Sequence, residues 1–251
     1  MTAPQIDPKN LAAAEDRLIV ALDVESADAA RAIVTELDGL VSTFKIGLQL
    51  FSAAGPAFVR ELAGQGKRIF LDLKYHDIPN TVAMAGVEAA RCGVWMFNMH
   101  TGGGSEMMKR TADEVAEFCV SSNCTRPLII GVTVLTSSTS EVLRETGVSV
   151  GVVDQVMRLA GLADECGLDG VVASANEIDS IRSRVNRPGF LIVTPGIRPE
   201  NATNDDQKRV MTPGSAISSG ADHLVVGRPI VKASNRRVAT EQILTEIRRS
   251  L

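Results

Sequence analysis

The sequence predicts an α/β fold in which parallel strands close into a barrel. Eight short apolar stretches recur along the 251 residues, and most are separated by roughly 12 to 25 residues with helical periodicity. Strands that alternate with helices pair in parallel through right-handed crossovers. Eight such units in a chain of about 250 residues favour a (β/α)8 barrel, the TIM barrel, over the alternative of a doubly wound open sheet.

The predicted strands follow one another without a change in composition. They are residues 18–23, 41–47, 68–74, 94–100, 128–134, 170–174, 191–194 and 223–227. Helical periodicity is clear in residues 26–37, 81–91 and 154–165. In the first of these helices the predicted apolar stripe consists of Ala29, Ala32, Ile33 and Leu37. We therefore expect one domain over residues 1–251.

One connection is too long for a simple turn. Residues 195–213 follow the seventh predicted strand and are rich in Pro, Asn, Asp and Thr. Loops of this length in compact domains are usually functional or disordered. Barrel enzymes build their sites from the loops after the strands, so we expect a lid here.

The composition excludes several classes of protein. A net charge of −4 gives no broad basic face for nucleic acid, and no apolar run approaches the roughly 20 residues that a membrane span needs. The polar N-terminus lacks a signal-peptide pattern, which predicts a cytoplasmic protein. Four cysteines, at positions 92, 119, 124 and 166, show no Cys-x-x-Cys pair and no zinc-finger spacing. We expect them to be buried free thiols.

Charged residues recur where the predicted strands end. Because side chains alternate along a strand, Phe70, Asp72 and Lys74 would point into the barrel, and the apolar residues between them would face the helices. The same alternation directs Thr43 and Lys45 inward. Buried charges are costly unless they are paired, and in an alternating array of lysines and aspartates each charge has an opposite charge beside it. The sequence therefore predicts a functional charge cluster at the barrel mouth made of Asp23, Lys45, Asp72, Lys74 and Asp77.

The histidines have a simpler interpretation. His100 ends the fourth predicted strand and His76 follows the third. Either could act as an acid or a base, but a packing or hydrogen-bonding role is the more common one. His223 begins a strand at the opposite end of the barrel, and we assign it no role.

Two loops carry signals for phosphate binding. Barrels often hold phosphate at the loops after strands seven and eight, which here contain residues 194–199 (TPGIRP) and 226–230 (VGRPI). Gly227 allows close backbone approach, Arg228 offers a planar fork for two oxygens, and Pro229 suits the first turn of a helix. The glycine-rich residues 101–104 fit either a phosphate loop or the start of a helix.

Together these residues resemble one enzyme family. Residues 72–81 (DLKYHDIPNT) are similar to the signature of the orotidine 5′-monophosphate decarboxylases, an Asp-x-Lys-x-x-Asp core followed by Ile-Pro-x-Thr, and the form here is similar to the bacterial type. The core alone also occurs in related sugar-phosphate decarboxylases and aldolases. The further matching blocks, in the family's order, are ALD (21–23), FKIG (44–47), HTGG (100–103), VLTS (134–137), TPGIR (194–198) and VGRPI (226–230).

The resemblance implies a lyase that converts orotidine 5′-monophosphate to UMP in de novo pyrimidine biosynthesis, without a metal or an organic cofactor. Lys74 would deliver a proton to C6 of the pyrimidine, and Asp72 would lie beside the substrate carboxylate. Lys45 and Asp77 would complete the charge network. Asp77 would come from the other subunit of a homodimer.

The resemblance also implies the substrate contacts. Ile78 and Thr81 would reach the site from the partner subunit. Asp23 and Lys45 would contact the ribose hydroxyls, and Thr136, next to Ser137, would contact the pyrimidine. The residues implied at the phosphate are Arg198, Gln207, Gly227 and Arg228, with Gln207 in the predicted lid.

Two other functions stay open at this point. A magnesium-dependent sugar-phosphate decarboxylase or aldolase would need another carboxylate beside Asp72, and Glu61 and Glu88 lie on predicted helices instead. The other alternative is a catalytically inactive barrel that binds phosphate ligands, and it does not explain the charge cluster.

Overall fold

The chain forms a closed barrel of eight parallel strands. A computed structural model describes residues 14–199 and 211–251. The strands follow the chain order around the barrel, and the last pairs with the first, which confirms the predicted barrel and excludes the open sheet. They are β1 (Leu18–Ala21), β2 (Thr43–Gly47), β3 (Arg68–Tyr75), β4 (Met96–His100), β5 (Leu128–Val132), β6 (Gly170–Val172), β7 (Leu191–Pro195) and β8 (His223–Val226).

Helices cover the outside of the barrel between the strands. Among the described residues they are α1 (Ala27–Glu36), α2 (Leu48–Gly64), α3 (Pro79–Arg91), α4 (Gly104–Ser121), α5 (Ser140–Glu145), α6 (Val152–Glu165), α7 (Ile178–Arg184), α8 (Pro213–Ser218), α9 (Arg228–Val231) and α10 (Arg236–Arg248). The three helices predicted from periodicity are present as α1, α3 and α6. Within these ranges no helix is both long and apolar enough to cross a membrane.

The predicted apolar stripe of α1 was partly wrong. The helix buries Ala30, Ile33 and Val34, whereas Ala29 and Ala32 are exposed. Burying a valine removes more apolar surface from water than burying an alanine does. The helix therefore turns the side that carries Val34 toward the barrel.

The strand boundaries differ from the predicted ones by one or two residues. β1, β5 and β6 end two residues early, but the ladder continues past their ends, as in the bond from the Leu22 amide to the Lys45 carbonyl at 2.9 Å. β8 ends one residue early, β3 and β7 are one residue longer, and β2 and β4 begin two residues later. The sites at the strand ends keep their predicted positions.

The alternation of side chains is confirmed on the strands that carry charge. Phe44, Ile46, Ile69 and Leu71 belong to the outer core between the barrel and its helices. Phe70 belongs to a separate cluster inside the barrel, whose buried members are Ile19, Ala21, Phe70, Met96, Ile130, Val193 and Val225. This inner cluster forms an apolar floor beneath the charged mouth.

The cysteines are free thiols, as predicted, but one of them is not buried. Cys92, Cys119 and Cys166 are buried and Cys124 is exposed. The exposed thiol follows Asn123, which has a φ of 49° just beyond the end of α4. The left-handed backbone turns the chain away from the helix, so the prediction of burial was wrong for Cys124.

Candidate active site

An alternating cluster of charges lies at the carboxyl ends of β2 and β3. Asp72 Oδ1 lies 2.7 Å from Lys74 Nζ, and Asp72 Oδ2 lies 3.3 Å from Lys45 Nζ. Lys45 Nζ also contacts Asp23 Oδ1 at 3.2 Å. The structure therefore brings together four of the five predicted charges in the order Asp23–Lys45–Asp72–Lys74.

The central carboxylate stays ionised although it is largely buried. Burial raises the pKa of Asp72, but the charges of Lys45 and Lys74 and the hydrogen bonds from Lys74 and Asn98 outweigh it, so the net pKa lies below its usual range. Both lysines therefore face a fixed negative charge.

Asn98 is a polar neighbour of this cluster that the sequence analysis missed. Its Nδ2 donates to Asp72 Oδ1 at 2.7 Å, and its Oδ1 accepts from the Lys74 amide at 2.8 Å. Asn98 is fully buried. The available signal was a polar residue on the inward face of an apolar strand, two positions before His100.

Asp23 lies just beyond β1 and is packed against the glycine of the eighth loop. A Cβ atom on Gly227 would lie 3.1 Å from Asp23 Oδ2 and 3.4 Å from Ala21 Cβ. Any side chain at this position would push the Asp23 carboxylate away. The close approach of phosphate to the Gly227 backbone stays a prediction.

A polar pocket of about 210 Å³ lies between the loops after β7 and β8. Its lining includes Asp23, Lys45, Arg198, Gly227 and Arg228. Two guanidinium groups in one small pocket suit a doubly charged oxyanion such as phosphate. Pro229 lies in the first turn of α9, as predicted, although this helix is a single turn.

A second pocket of about 170 Å³ adjoins the charge cluster on the other side. Lys45, Asp72 and Lys74 form one wall, and Thr136 adds a hydroxyl group. The remaining walls are apolar, made of Phe70, Val132, Val134, Leu135, Val172, Ala173, Pro195 and Val225. Such a slot suits a flat ring with a few polar edges.

The comparisons with known proteins agree with this geometry. The sequence model of the family described as orotidine 5′-phosphate decarboxylase / HUMPS matches residues 16–243. The chain belongs to this family.

The relatives in this family align over nearly the full chain. An orotidine 5′-phosphate decarboxylase of Syntrophotalea carbinolica is 50% identical over 96% of this chain and 98% of its own. One of Geobacter sulfurreducens is 50% identical over 93% of this chain and 97% of its own. The crystal structure of the Lactobacillus acidophilus orotidine 5′-phosphate decarboxylase superposes with a TM-score of 0.82 at 36% identity, covering 92% of this chain and 99% of that one.

Three residues that the family resemblance assigned to the site lie apart from the pockets within one chain. Asp77, Ile78 and Thr81 are exposed, and none of them lines either pocket. The Asp77 carboxylate accepts from the Ile78 amide at 2.6 Å at the start of α3. Gln207 and most of the predicted lid lie outside the described residues.

Neither carboxylate considered for the magnesium-dependent alternative lies beside Asp72. Glu61 on α2 pairs with Arg31 at 2.6 Å, and Glu88 on α3 pairs with Arg91 at 3.2 Å, as expected of helix residues. Within the described part of the chain, the polar groups that contact Asp72 are donors, namely two ammonium groups and an amide. Among residues 14–199 and 211–251, no three His, Cys, Asp or Glu side chains form a group that could hold a metal ion.

The glycine-rich loop and the two nearby histidines lie beside the pockets rather than in them. Residues Thr101–Gly103 form a 3-10 turn that leads into α4, so the helix-start interpretation is confirmed. The rings of His76 and His100 contact each other with centroids 5.4 Å apart. This contact favours a packing role for both.

Partial burial of two histidines predicts a loss of stability in mild acid. Burial lowers the pKa of His100, and the charges of His76 and Lys74 lower it further. Burial also lowers the pKa of His223, whose ring packs edge-on against Trp95. Because the folded pKa values lie below the unfolded value of about 6.5, stability is full above that pH and declines as the pH falls through the folded values.

We therefore expect the free energy of unfolding, measured by urea titration, to decrease between about pH 7.5 and pH 5.5. His100→Gln and His223→Gln should each flatten this slope. A free energy that stays constant or rises over the same interval would contradict the assignment.

Proposed function

We propose that this protein decarboxylates orotidine 5′-monophosphate to UMP in pyrimidine biosynthesis, as a cytoplasmic single-domain enzyme. The proposal rests on the Lys45–Asp72–Lys74 cluster, which lies where the apolar slot meets the two-arginine pocket. A nucleoside monophosphate has a matching order of parts, with a flat base for the slot, a ribose in the middle and a phosphate for the arginine pocket. The activity of the family relatives supports the same conclusion.

Each part of this substrate has a complementary region. The pyrimidine would occupy the apolar slot beside Thr136, and the ribose hydroxyls would contact Asp23 and Lys45. The phosphate would contact the guanidinium groups of Arg198 and Arg228 and the backbone at Gly227. We also propose that the lid, with Gln207, closes on the phosphate, because barrel loops commonly exclude water in this way.

The reaction leaves an electron pair on a carbon that has no adjacent π-system to absorb it. The protein must then stabilise the charge by its own preorganised groups. Asp72 would lie beside the substrate carboxylate, where two unit charges about 4 Å apart repel by roughly 4 kcal/mol at an effective dielectric near 20. This repulsion disappears as the carboxylate departs as neutral carbon dioxide.

Lys74 supplies the attractive half of the same step. As the bond between C6 and the carboxylate breaks, its electron pair stays on C6, and the Lys74 ammonium group transfers a proton there. The attraction between Lys74 and C6 grows as charge develops, and interactions that strengthen in the transition state are the ones that raise kcat. The contact with Asp72 at 2.7 Å holds the Lys74 ammonium group in place until then.

The proposal is tested by adding EDTA-treated protein to orotidine 5′-monophosphate and following the absorbance of the pyrimidine. We expect rapid conversion to UMP, with the product confirmed by chromatography. Activity that appears only with Mg²⁺ would favour the metal-dependent alternative. Binding of UMP without any turnover would favour the inactive binding barrel.

We further propose that the active form is a homodimer that shares its sites. Ile78 is 67% exposed and Met84 is 42% exposed, and with the exposed Thr81 they recur every three residues along one side of α3. Large exposed apolar side chains of this kind mark interaction surfaces. A partner that covers this surface would receive Asp77, Ile78 and Thr81 at its own site.

A shared site predicts complementation between two inactive variants. In a hybrid of Lys74→Ala and Asp77→Ala subunits, one of the two sites has both native residues. Random reassortment should therefore restore about one quarter of the wild-type activity. The measurement is turnover after the two variants have been mixed, unfolded and refolded together, with hybrid formation shown by native mass spectrometry. Hybrids that form but stay inactive would contradict a shared site.

A further inference from the structure

The pairing between β3 and β4 is interrupted at the charge cluster. Leu71 lies opposite Phe97, and the next pair is Tyr75 opposite Met99. Three residues of β3, 72 to 74, therefore face the single residue Asn98 of β4. An insertion of this kind leaves backbone groups without their normal ladder partners and redirects the side chains that it carries.

The backbone of Lys74 has an unusual conformation at this interruption. Its φ of 51° lies in the left-handed region, which is uncommon for residues other than glycine, asparagine and aspartate. An unsupported backbone would relax from this conformation. The support comes from Asn98, whose Oδ1 accepts the Lys74 amide at 2.8 Å.

The Asn98 side chain fixes both charged residues of the insertion at once. Its carboxamide oxygen must face the Lys74 N–H, so the amide group must face Asp72, to which it donates at 2.7 Å. The side chain is fully buried, so water does not compete for either bond. One rigid group thus sets the Lys74 backbone and the orientation of the Asp72 carboxylate.

We propose that Asn98 is a positioning residue for proton transfer, which holds Lys74 and Asp72 at the distance and orientation that the reaction needs. The inference rests on the proposed decarboxylase function, because it assigns Asn98 to the same step. Asn98 does not line either pocket, so it acts through the two residues that it holds.

Two substitutions separate its two hydrogen bonds. Asn98→Ala removes both, whereas Asn98→Asp keeps the acceptor for the Lys74 amide and replaces the donor to Asp72 by a carboxyl group. Thr43→Val is the matched control. It also alters a fully buried polar side chain that points into the barrel, and the Thr43 hydroxyl has no hydrogen-bond partner among the described residues.

We expect Asn98→Ala to lower kcat by about 100-fold, the order of loss associated with a small misplacement of a catalytic group. The KM and the affinity for UMP should change by no more than roughly threefold, because the phosphate contacts are intact. The Thr43→Val variant should retain wild-type kcat.

The Asn98→Asp variant adds a readout that general loss of packing does not produce. A carboxyl group placed next to Asp72 has a raised pKa and, when protonated, can donate to Asp72 again. We therefore expect its kcat relative to wild type to rise as the pH falls from about 8 to 6. The relative kcat of Asn98→Ala should stay flat over that interval.

The crystal structure of Asn98→Ala completes the test, and circular dichroism identifies folded variants. Loss of the left-handed Lys74 backbone together with the fall in kcat supports the proposal. Any of three results overturns it: an unchanged kcat, a rise in KM as large as the fall in kcat, or an unaltered Lys74–Asp72 contact.

If Asn98→Ala does not fold, the pH dependence of kcat for Asn98→Asp decides, and a flat pH profile overturns the proposal. If the wild-type protein does not turn over substrate, the proposed function has failed, and the structure of the variant still tests the positioning of Lys74.

Discussion

Lys74→Ala is expected to lower kcat by at least about 10⁴-fold, because it removes the proposed proton donor and, with it, the charge proposed to stabilise the carbanion. The variant should remain folded. Asp72 keeps its contact with Lys45 at 3.3 Å and its bond from Asn98 at 2.7 Å, so no carboxylate is left without a partner. The measurement is turnover under saturating substrate, accompanied by a thermal melt.

Lys67→Ala is the matched control for this variant. Lys67 immediately precedes β3, at the opposite end of the strand from Lys74, and pairs with the exposed Asp38. The same side chain is lost outside the site, so kcat should remain near that of the wild type. Appreciable turnover by Lys74→Ala would remove Lys74 as the proton donor.

Asp72→Asn is expected to lower kcat by about 10³-fold without raising KM. The substitution keeps the shape of the side chain but removes the negative charge that lies between Lys45 and Lys74. It would eliminate the proposed repulsion of the substrate carboxylate, which raises the free energy of the bound substrate more than that of the transition state. A change that relieves such repulsion lowers kcat and leaves binding equal or tighter.

The corresponding control is Asp38→Asn, which removes a carboxylate that also pairs with a lysine but is exposed at the other end of the barrel. Steady-state kinetics of both variants give the comparison. If Asp72→Asn raised KM with kcat intact, Asp72 would be a substrate-binding residue only. The repulsion account would then be wrong.

The sequence was sufficient to predict the barrel and the location of its charges. The alternation of apolar residues along 68–74 assigns Asp72 to the interior, because neighbouring side chains on a strand point to opposite sides. The position of Lys45 near the end of β2 follows from the same rule. Parallel strands align their carboxyl ends, so these charges had to meet at one mouth.

The same rule could not predict how Lys74 is held. The rule assumes that each residue of β3 pairs with one residue of β4. In the structure, three residues of β3 lie opposite Asn98 alone. The left-handed backbone of Lys74 depends on this tertiary contact and leaves no mark in local sequence. Asn98 itself was overlooked because one polar residue in a buried strand has many structural explanations.

Two other features also depend on more than the local pattern. The buried side of α1 differs from the predicted stripe because alanines at 29 and 32 fit either the core or the surface, and the packing of Val34 decides. In the proposed homodimer, Asp77 and Ile78 would reach the site of the partner subunit. From the sequence of one chain, only the family resemblance assigns these residues to a site.

The most direct test of the central claim is proton NMR of the product that metal-depleted protein forms from orotidine 5′-monophosphate in D₂O. The claim is that the protein's own charges promote the loss of carbon dioxide. Lys74, which is deuterated in D₂O, then transfers a deuteron to C6. We expect UMP that carries deuterium at C6, visible as the loss of the H6 signal and the collapse of H5 to a singlet. Unchanged substrate, or product that forms only after Mg²⁺ is added, would contradict it.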